Sequence, residues 1–159
     1  MASIEDSIEV DVPVSMAYNQ WTQFEEFPKF MEGLKSVRQL DDRRLHWHAE
    51  IAGREKDWDA EITEQHPDER VAWRSTSGAR NAGVVTFHRL SDTRTKIMLQ
   101  LDYEPEGMTE TIGDALGVMS MRVRNDLARF KEFIESRGRE SGAWRGDIPA
   151  PHQRPGQAA

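Results

Sequence analysis

Two histidines spaced two residues apart could in principle hold a metal ion. His46 and His48 alternate with Leu45, Trp47 and Ala49, so both project to the same side of a strand, and imidazole nitrogens are common zinc ligands. That side of the strand is the polar one, and no third ligand stands out in the sequence. We therefore expect solvent-facing histidines, with no metal site and no cofactor.

The other polar residues provide only weak catalytic candidates. The sequence has no cysteine and no Gly-X-Ser-X-Gly, phosphate-loop or dinucleotide-binding pattern. Tyr103 and Asn125 are the weak candidates among the polar residues that could face a pocket, which also include Ser75, Arg80 and Asn81. These residues form no recognisable pair of nucleophile and base. The sequence leaves open whether the protein is an enzyme.

Two further sets of charged residues have simple interpretations. Asp6 lies on the otherwise apolar face of the first strand, beside Ile4 and Ile8, and a buried carboxylate needs a partner or a raised pKa. A position at the rim of the sheet is the favoured alternative to burial. Arg122 and Asp126 are one helical turn apart, which is typical of an ion pair on a solvated helix face.

Period-two alternation of apolar and polar residues predicts a single antiparallel sheet. One strand covers residues 3–13, two short helices follow at 16–23 and 25–31, and six strands then run between residues 34 and 104. Short turns such as Gly53-Arg54 and Ser77-Gly78-Ala79 join these strands. Successive strands joined by short turns are typical of an antiparallel meander.

A helical period returns after Gly107 and continues to Gly138, which is placed as a helix-terminating residue should be. The apolar stripe of this helix consists of Ile112, Leu116, Met119, Val123, Leu127, Phe130 and Ile134. It is the one long apolar stripe available to cover the apolar face of the sheet. The sequence therefore predicts an α+β domain over residues 1–138, in which a curved seven-stranded sheet wraps around the terminal helix.

Residues 139–159 form a tail rich in proline, glycine and glutamine, which we expect to be extended or disordered. Trp144 is unusual in such a tail, because an exposed indole is unfavourable. Docking of Trp144 onto its own domain is favoured over docking onto a partner.

Composition excludes several classes of protein. The 159 residues include 28 acidic and 21 Lys and Arg side chains, with a net charge of -7. This balance argues against a general nucleic-acid binder, which needs a basic face. The sequence shows no secretory signal or membrane-spanning stretch, so we expect a cytoplasmic protein with no integral membrane association. It does not indicate an oligomeric state.

The order of elements and several stretches resemble the START-like superfamily, also called SRPBCC, which has the helix-grip fold. This superfamily includes polyketide cyclases and dehydrases, coenzyme Q-binding proteins and Bet v 1-like lipid carriers. The resemblance spans about residues 3–136. The matching stretches are Val12-Pro13-Val14-Ser15-Met16-Ala17-Tyr18 with Trp21, Phe24-Glu25-Glu26-Phe27-Pro28-Lys29-Phe30-Met31, Arg70-Val71-Ala72-Trp73-Arg74-Ser75 and Asp126-Leu127-Ala128-Arg129-Phe130-Lys131.

The resemblance implies a cavity between sheet and helix that holds an apolar ligand. A concave apolar gap under one helix is also an ordinary ligand site on physical grounds. The expected ligand-binding residues are Trp47, Trp58, Trp73, Ser75, Val85, Phe87, Leu99, Leu101, Tyr103, Met108, Ile112, Leu116, Met119 and Val123. The favoured function is binding of a small hydrophobic, lipid-like or polyketide-like molecule. The alternatives are a polyketide cyclase or dehydrase, and a stress or regulatory protein without a ligand.

Overall fold

The computed structural model describes residues 2–51, 53–104 and 112–153, and the side chains of these residues except 51, 112–116 and 153. Seven strands form one antiparallel sheet in the order β1-β7-β6-β5-β4-β3-β2. The strands are β1 (Ala2–Val10), β2 (Leu34–Gln39), β3 (Arg44–Ile51), β4 (Arg54–His66), β5 (Arg70–Gly78), β6 (Asn81–Ser91) and β7 (Arg94–Tyr103). The predicted meander is therefore confirmed, with β1 added beside β7.

Among the described residues, four helical segments accompany the sheet. The α-helices are α1 (Val14–Trp21) and α2 (Ile112–Arg137), and short 3₁₀ helices cover Phe24–Lys29 and Pro151–Gln153. The sheet curls into a half-barrel around α2, so the predicted α+β helix-grip architecture is also confirmed.

Alternating side chains explain which face of the sheet is concave. Ile8 lies opposite Ile97, and Ile97 lies opposite Phe87 on the next strand. Residues directly opposite each other in a sheet point to the same face. Ile97 and Phe87 are buried, whereas Lys96 and His88, one position away, belong to the convex face.

Helix α2 differs along its length. In its C-terminal half, Leu127, Phe130 and Ile134 are 3% exposed or less. The Phe130 ring there meets Trp21 of α1 edge-on, with ring centroids 5.0 Å apart. Nearer the N-terminal end, Val118 is 56% exposed. Leu127, Phe130 and Ile134 of α2 therefore close the core, whereas Val118 faces solvent.

The segment after α2 packs along α1 and β4. Trp144 packs against the core, and Ile148 is buried and forms a bridge with Gln65 of β4. Arg145 donates two hydrogen bonds to the Asp68 carboxylate, at 3.0 and 2.9 Å. Trp144 thus docks onto its own domain, which is the alternative that the sequence analysis favoured over docking onto a partner.

Asp6 lies at the rim of the sheet. Its carboxylate oxygen is 3.7 Å from Arg124 Nε on α2, and the Asp6 side chain is partly exposed. This contact agrees with the rim interpretation and gives Asp6 a structural role between β1 and α2.

Glycine is required at position 83 by a neighbouring indole. A Cβ atom there would lie 2.6 Å from the Trp73 ring and 2.7 Å from the Gln100 carbonyl oxygen. We predict that Gly83→Ala lowers the free energy of unfolding by about 1–3 kcal/mol, because the backbone cannot yield and the indole must move. Chemical denaturation followed by tryptophan emission measures this loss.

The matched control is Gly117→Ala, since a Cβ atom at position 117 of α2 would meet nothing within 4 Å. The gain in helix propensity should raise the free energy of unfolding by about 1 kcal/mol. Equal effects of the two substitutions would contradict the close packing of Trp73 on Gly83.

Candidate functional site

A cavity of about 520 Å³ lies between the concave face of the sheet and the N-terminal half of α2. Its described lining residues are mostly apolar. They are Trp21, Phe24, Phe27, Met31, Glu32, Leu34, Leu45, Trp47, Ala49, Arg54, Lys56, Trp58, Ile62, Val71, Trp73, Ala79, Arg80, Asn81, Leu99, Leu101, Tyr103, Glu104, Val118, Met119, Arg122, Val123, Asp126 and Leu127. A volume of this size lies within the usual range for small-molecule sites.

Flat aromatic side chains form much of the cavity wall. Trp47 of β3 and Trp58 of β4 are paired across the strands, and their rings are parallel with centroids 6.0 Å apart. The Phe27 ring tilts against Trp47 at 5.8 Å. Trp73 is held in place because its Nε1 donates a hydrogen bond to Asn81 Oδ1 at 3.2 Å.

Most of the described residues expected to bind a ligand do line this cavity. They are Trp47, Trp58, Trp73, Leu99, Leu101, Tyr103, Met119 and Val123. Met108 lies outside the described residues, and the side chains of Ile112 and Leu116 are not among those described.

Three expected ligand-binding residues and one catalytic candidate lie away from the lining. Phe87 is buried against the Tyr18 ring, with centroids 5.4 Å apart. Val85 is fully buried between its strand neighbours Val71 and Leu99. The Ser75 hydroxyl accepts a hydrogen bond from the Asn81 backbone N–H at 3.0 Å. The prediction of ligand contact for these three residues is therefore not supported by their positions.

The catalytic candidates Tyr103 and Asn125 are separated by the fold. Tyr103 is buried and lines the cavity, whereas Asn125 is exposed on α2 and does not belong to the lining. Asn125 follows Arg124, which is also exposed on α2. Of the two, only Tyr103 therefore lines the cavity.

The floor of the cavity comes from elements that the sequence analysis did not assign to it. Trp21 ends α1, and Phe24 and Phe27 belong to the 3₁₀ helix that follows. All three are buried and line the cavity. The dense aromatic spacing of this stretch was the available signal, but periodicity alone could not show which way the short helices turn.

A charged row on α2 forms the polar edge of the cavity, which corrects the expectation of a solvated ion pair. Arg122, Asp126 and Arg129 follow one another at the i, i+4, i+7 spacing, beside the buried stripe of Val123, Leu127 and Phe130. Of these, Arg122 and Asp126 line the cavity. The sequence carries no signal that separates this row from charges on a solvated helix face.

All three charged residues hold Glu32, in the loop before β2, and we call this arrangement the Glu32 clasp. Arg122 donates to the Glu32 carbonyl oxygen at 2.7 Å, and the Glu32 backbone N–H donates to Asp126 Oδ1 at 3.2 Å. Arg129 donates both to Asp126 Oδ1 at 2.9 Å and to the Glu32 carboxylate at 3.1 Å. The clasp joins α2 to the edge of the sheet that carries β2.

Gly33 follows the clasp and has a positive φ of 79°. A Cβ atom there would lie 2.5 Å from the Arg122 guanidinium and 2.5 Å from the Glu50 carbonyl oxygen. Glycine is therefore favoured at position 33 for two reasons. It adopts the left-handed backbone conformation without strain, and it leaves room for the Arg122 side chain.

Asp126 is electrostatically unusual among the groups of the cavity. Burial raises the pKa of its carboxyl to about 6, and this effect outweighs the Glu32 N–H hydrogen bond and the positive charges of Arg129 and Arg122, which favour the carboxylate. A buried carboxyl with such a pKa in a cavity is typical of a functional site.

The histidines of β3 face away from this cavity. His46 Nδ1 lies 2.7 Å from Asp59 Oδ1, and His48 Nδ1 lies 2.7 Å from Asp57 Oδ1. The Asp59 carboxylate raises the pKa of His46. Within residues 2–51, 53–104 and 112–153, no group of three or more histidine or acidic side chains is arranged to hold a metal ion.

Comparison with known proteins agrees with this fold and site. Residues 10–132 match the family described as polyketide cyclase / dehydrase and lipid transport. Because the match covers most of the chain, the protein belongs to that family. Over the described residues, no helix has the length and apolar character needed to cross a membrane.

Relatives with known names or structures are found at several levels of similarity. An uncharacterized 17.2 kDa protein from the melC2-rnhH intergenic region of Streptomyces lincolnensis is 56% identical over 149 residues, or 93% of this chain and 99% of that protein. A protein of known structure from Deinococcus radiodurans is 29% identical, with a TM-score of 0.68 over 87% of this chain and 99% of that one.

An aromatase/cyclase called Zhui, from Streptomyces sp. R1128, is also similar in structure. It is 16% identical, with a TM-score of 0.73 over 90% of this chain and 99% of that one. At this level of identity the likeness concerns the fold alone.

The buried carboxyl at position 126 leads to a pH-dependent prediction. Because its pKa is raised in the folded state, the folded protein retains a proton that the unfolded chain releases, between roughly pH 4 and 6. The contribution of Asp126 to stability therefore falls as pH rises through that window. We predict that Asp126→Asn raises the free energy of unfolding at pH 7.5 by up to about 3 kcal/mol. Solvent screening of the Asp126 charge reduces this gain.

Urea denaturation of both proteins at several pH values measures this effect. The advantage of Asp126→Asn should shrink as pH falls to about 4, where the wild-type carboxyl is also neutral. Glu132→Gln is the matched control, because Glu132 is exposed on α2. A constant difference between Asp126→Asn and wild type at all pH values would contradict the raised pKa.

Proposed function

We propose that this protein binds a small hydrophobic molecule in the cavity, as a carrier or in order to sequester it. The supporting observation is an apolar space of about 520 Å³ with aromatic walls, in a chain that belongs to a family described by both cyclase and lipid-transport activities. Parallel indoles such as those of Trp47 and Trp58 favour a flat or polyprenyl-like ligand.

The energetics of the cavity support a ligand. The aromatic walls would otherwise face water, and exposed apolar surface is unfavourable by roughly 25 cal/mol per Å². Water fills apolar space poorly, since each buried water needs two to four polar partners, whereas an apolar ligand would cover these walls.

A substitution that fills the cavity tests this proposal. Leu99 lines the cavity, so Leu99→Trp should occupy part of the space and weaken binding of anilinonaphthalene sulfonate, a fluorescent apolar probe, at least tenfold. The change is measured by titrating probe fluorescence against protein concentration.

The matched control is Met98→Trp, because Met98 is the adjacent residue of β7 and is exposed on the opposite face. It should leave probe affinity unchanged. If both variants bind the probe as wild type does, the cavity is not the binding site. A wild-type protein that does not bind the probe at all would favour the third alternative, a regulatory protein without a ligand.

Cyclisation or dehydration of a bound polyketide is the second candidate function. It is supported by two titratable groups in the cavity lining, the Tyr103 hydroxyl and the Asp126 carboxyl. Such an enzyme would fold a reactive chain against the aromatic wall while these groups polarise a carbonyl or transfer a proton. Retained ligand binding with lost turnover in Tyr103→Phe would distinguish a catalyst from a carrier.

A further inference from the structure

A buried polar atom without a hydrogen-bond partner calls for a physical explanation. Among the described residues, such atoms include Glu26 Oε2, Trp47 Nε1 and Gln65 Oε1. Glu26 forms an ion pair with Lys29 at the surface. Of these three residues, only Trp47 lines the cavity. The indole N–H of Trp47 is therefore a buried donor, without an acceptor, in the wall of the proposed ligand site.

The neighbours of Trp47 explain why its N–H has no acceptor within the described part of the chain. Trp47 lies between Val37 of β2 and Trp58 of β4 in the sheet, and the Phe27 ring packs against it. Valine and phenylalanine side chains have no polar atom, and the indole of tryptophan is a donor only. Trp73 in the same wall differs, because its Nε1 donates to an asparagine side chain. The chain thus supplies an acceptor to one of these indoles and none to the other.

We propose that Trp47 Nε1 is the donor that orients the ligand, and that it binds a carbonyl oxygen of an uncharged, flat molecule. The inference rests on the proposed function and makes it more specific. The N–H is covered by its neighbours in the structure, so the edge of the indole must turn into the cavity that the ring already lines. The new hydrogen bond then removes an unpaired buried donor, which is unfavourable.

A neutral carbonyl suits this position better than other polar groups. A carbonyl oxygen only accepts, so it pairs with the N–H and brings no donor of its own. A hydroxyl would add a donor that the side chains of Val37, Trp58 and Phe27 cannot accept. Burial of a carboxylate beside these apolar side chains and one neutral donor would be more unfavourable still. The wall at Trp47 therefore favours a ketone-like group on the ligand.

Two compounds of nearly the same shape test the inference by calorimetric titration. They are β-acetylnaphthalene, which carries a carbonyl oxygen, and β-isopropenylnaphthalene, in which a CH₂ group replaces that oxygen. The ratio of their two dissociation constants is compared between protein variants, because this comparison cancels the different hydrophobicity of the compounds. In Trp47→Phe the relative affinity for the ketone should fall about three- to tenfold, as expected for the loss of one hydrogen bond.

Trp58→Phe is the matched control. Trp58 is the stacking partner of Trp47 and lines the same wall. Its replacement removes a similar apolar area and leaves the Trp47 N–H in place, so it should weaken both compounds alike and keep the wild-type ratio. A ratio that changes equally in both variants would overturn the inference, because it would report on the area of the wall and not on the N–H.

Nuclear magnetic resonance of isotope-labelled wild-type protein reports on the same bond without any substitution. The indole N–H signal of Trp47 is assigned by linking the ring to the Trp47 backbone. The ketone should shift this proton downfield, since hydrogen bonding deshields it, and the alkene should not. This measurement decides between the outcomes even where Trp47→Phe is too unstable to titrate.

The outcomes separate this inference from the proposed function. An unchanged ratio in Trp47→Phe, or an indole signal that responds alike to ketone and alkene, would overturn the carbonyl inference and leave hydrophobic binding intact. Tighter binding of β-naphthoate than of the ketone would overturn it in favour of an acidic ligand. Failure of both naphthalenes and of anilinonaphthalene sulfonate to bind would overturn the proposed function and this inference together.

Discussion

The structure depends on one geometric constraint, which is that a single helix must cover the concave face of a seven-stranded sheet. The C-terminal half of α2 does so, because Phe130 meets Trp21 of α1 and Phe30, which directly follows the first 3₁₀ helix. Between Val118 and Leu127, α2 faces Trp47, Trp58 and Trp73 across the cavity. Over the described side chains, the cavity is the space that remains between the helix and the concave face.

The way α2 is attached to the sheet gives this cavity its chemistry. On the β1 side the helix is held by ordinary surface contacts, such as Lys131 with the Glu9 carbonyl oxygen. On the β2 side it is held by the Glu32 clasp, of which Glu32, Arg122 and Asp126 also line the cavity. Asp126 therefore takes part both in the clasp and in the cavity lining.

Much of the fold could be predicted because alternation and helical period directly report which residues are buried. The strands, α2 and most of the aromatic wall follow from these patterns. Asp126 could not be identified in this way, since a charged pair at i, i+4 looks the same on a solvated helix as beside a cavity. Phe87 and Val85 lie on the concave face of the sheet, as predicted. Phe87 is covered by Tyr18, and Val85 by neighbouring strand residues, so neither lines the cavity. Only the tertiary structure reveals this packing.

The central claim is that sheet and helix enclose an apolar space that a small molecule can occupy. Diffraction from crystals pressurised with xenon tests this most directly, because xenon enters dry apolar cavities without needing polar contacts. The account predicts density for xenon, or for an apolar molecule retained from the cell, against Trp73, Leu99 and Leu101 beneath the N-terminal half of α2. An interior there filled by the protein's own side chains, with neither xenon nor a retained molecule, would contradict it.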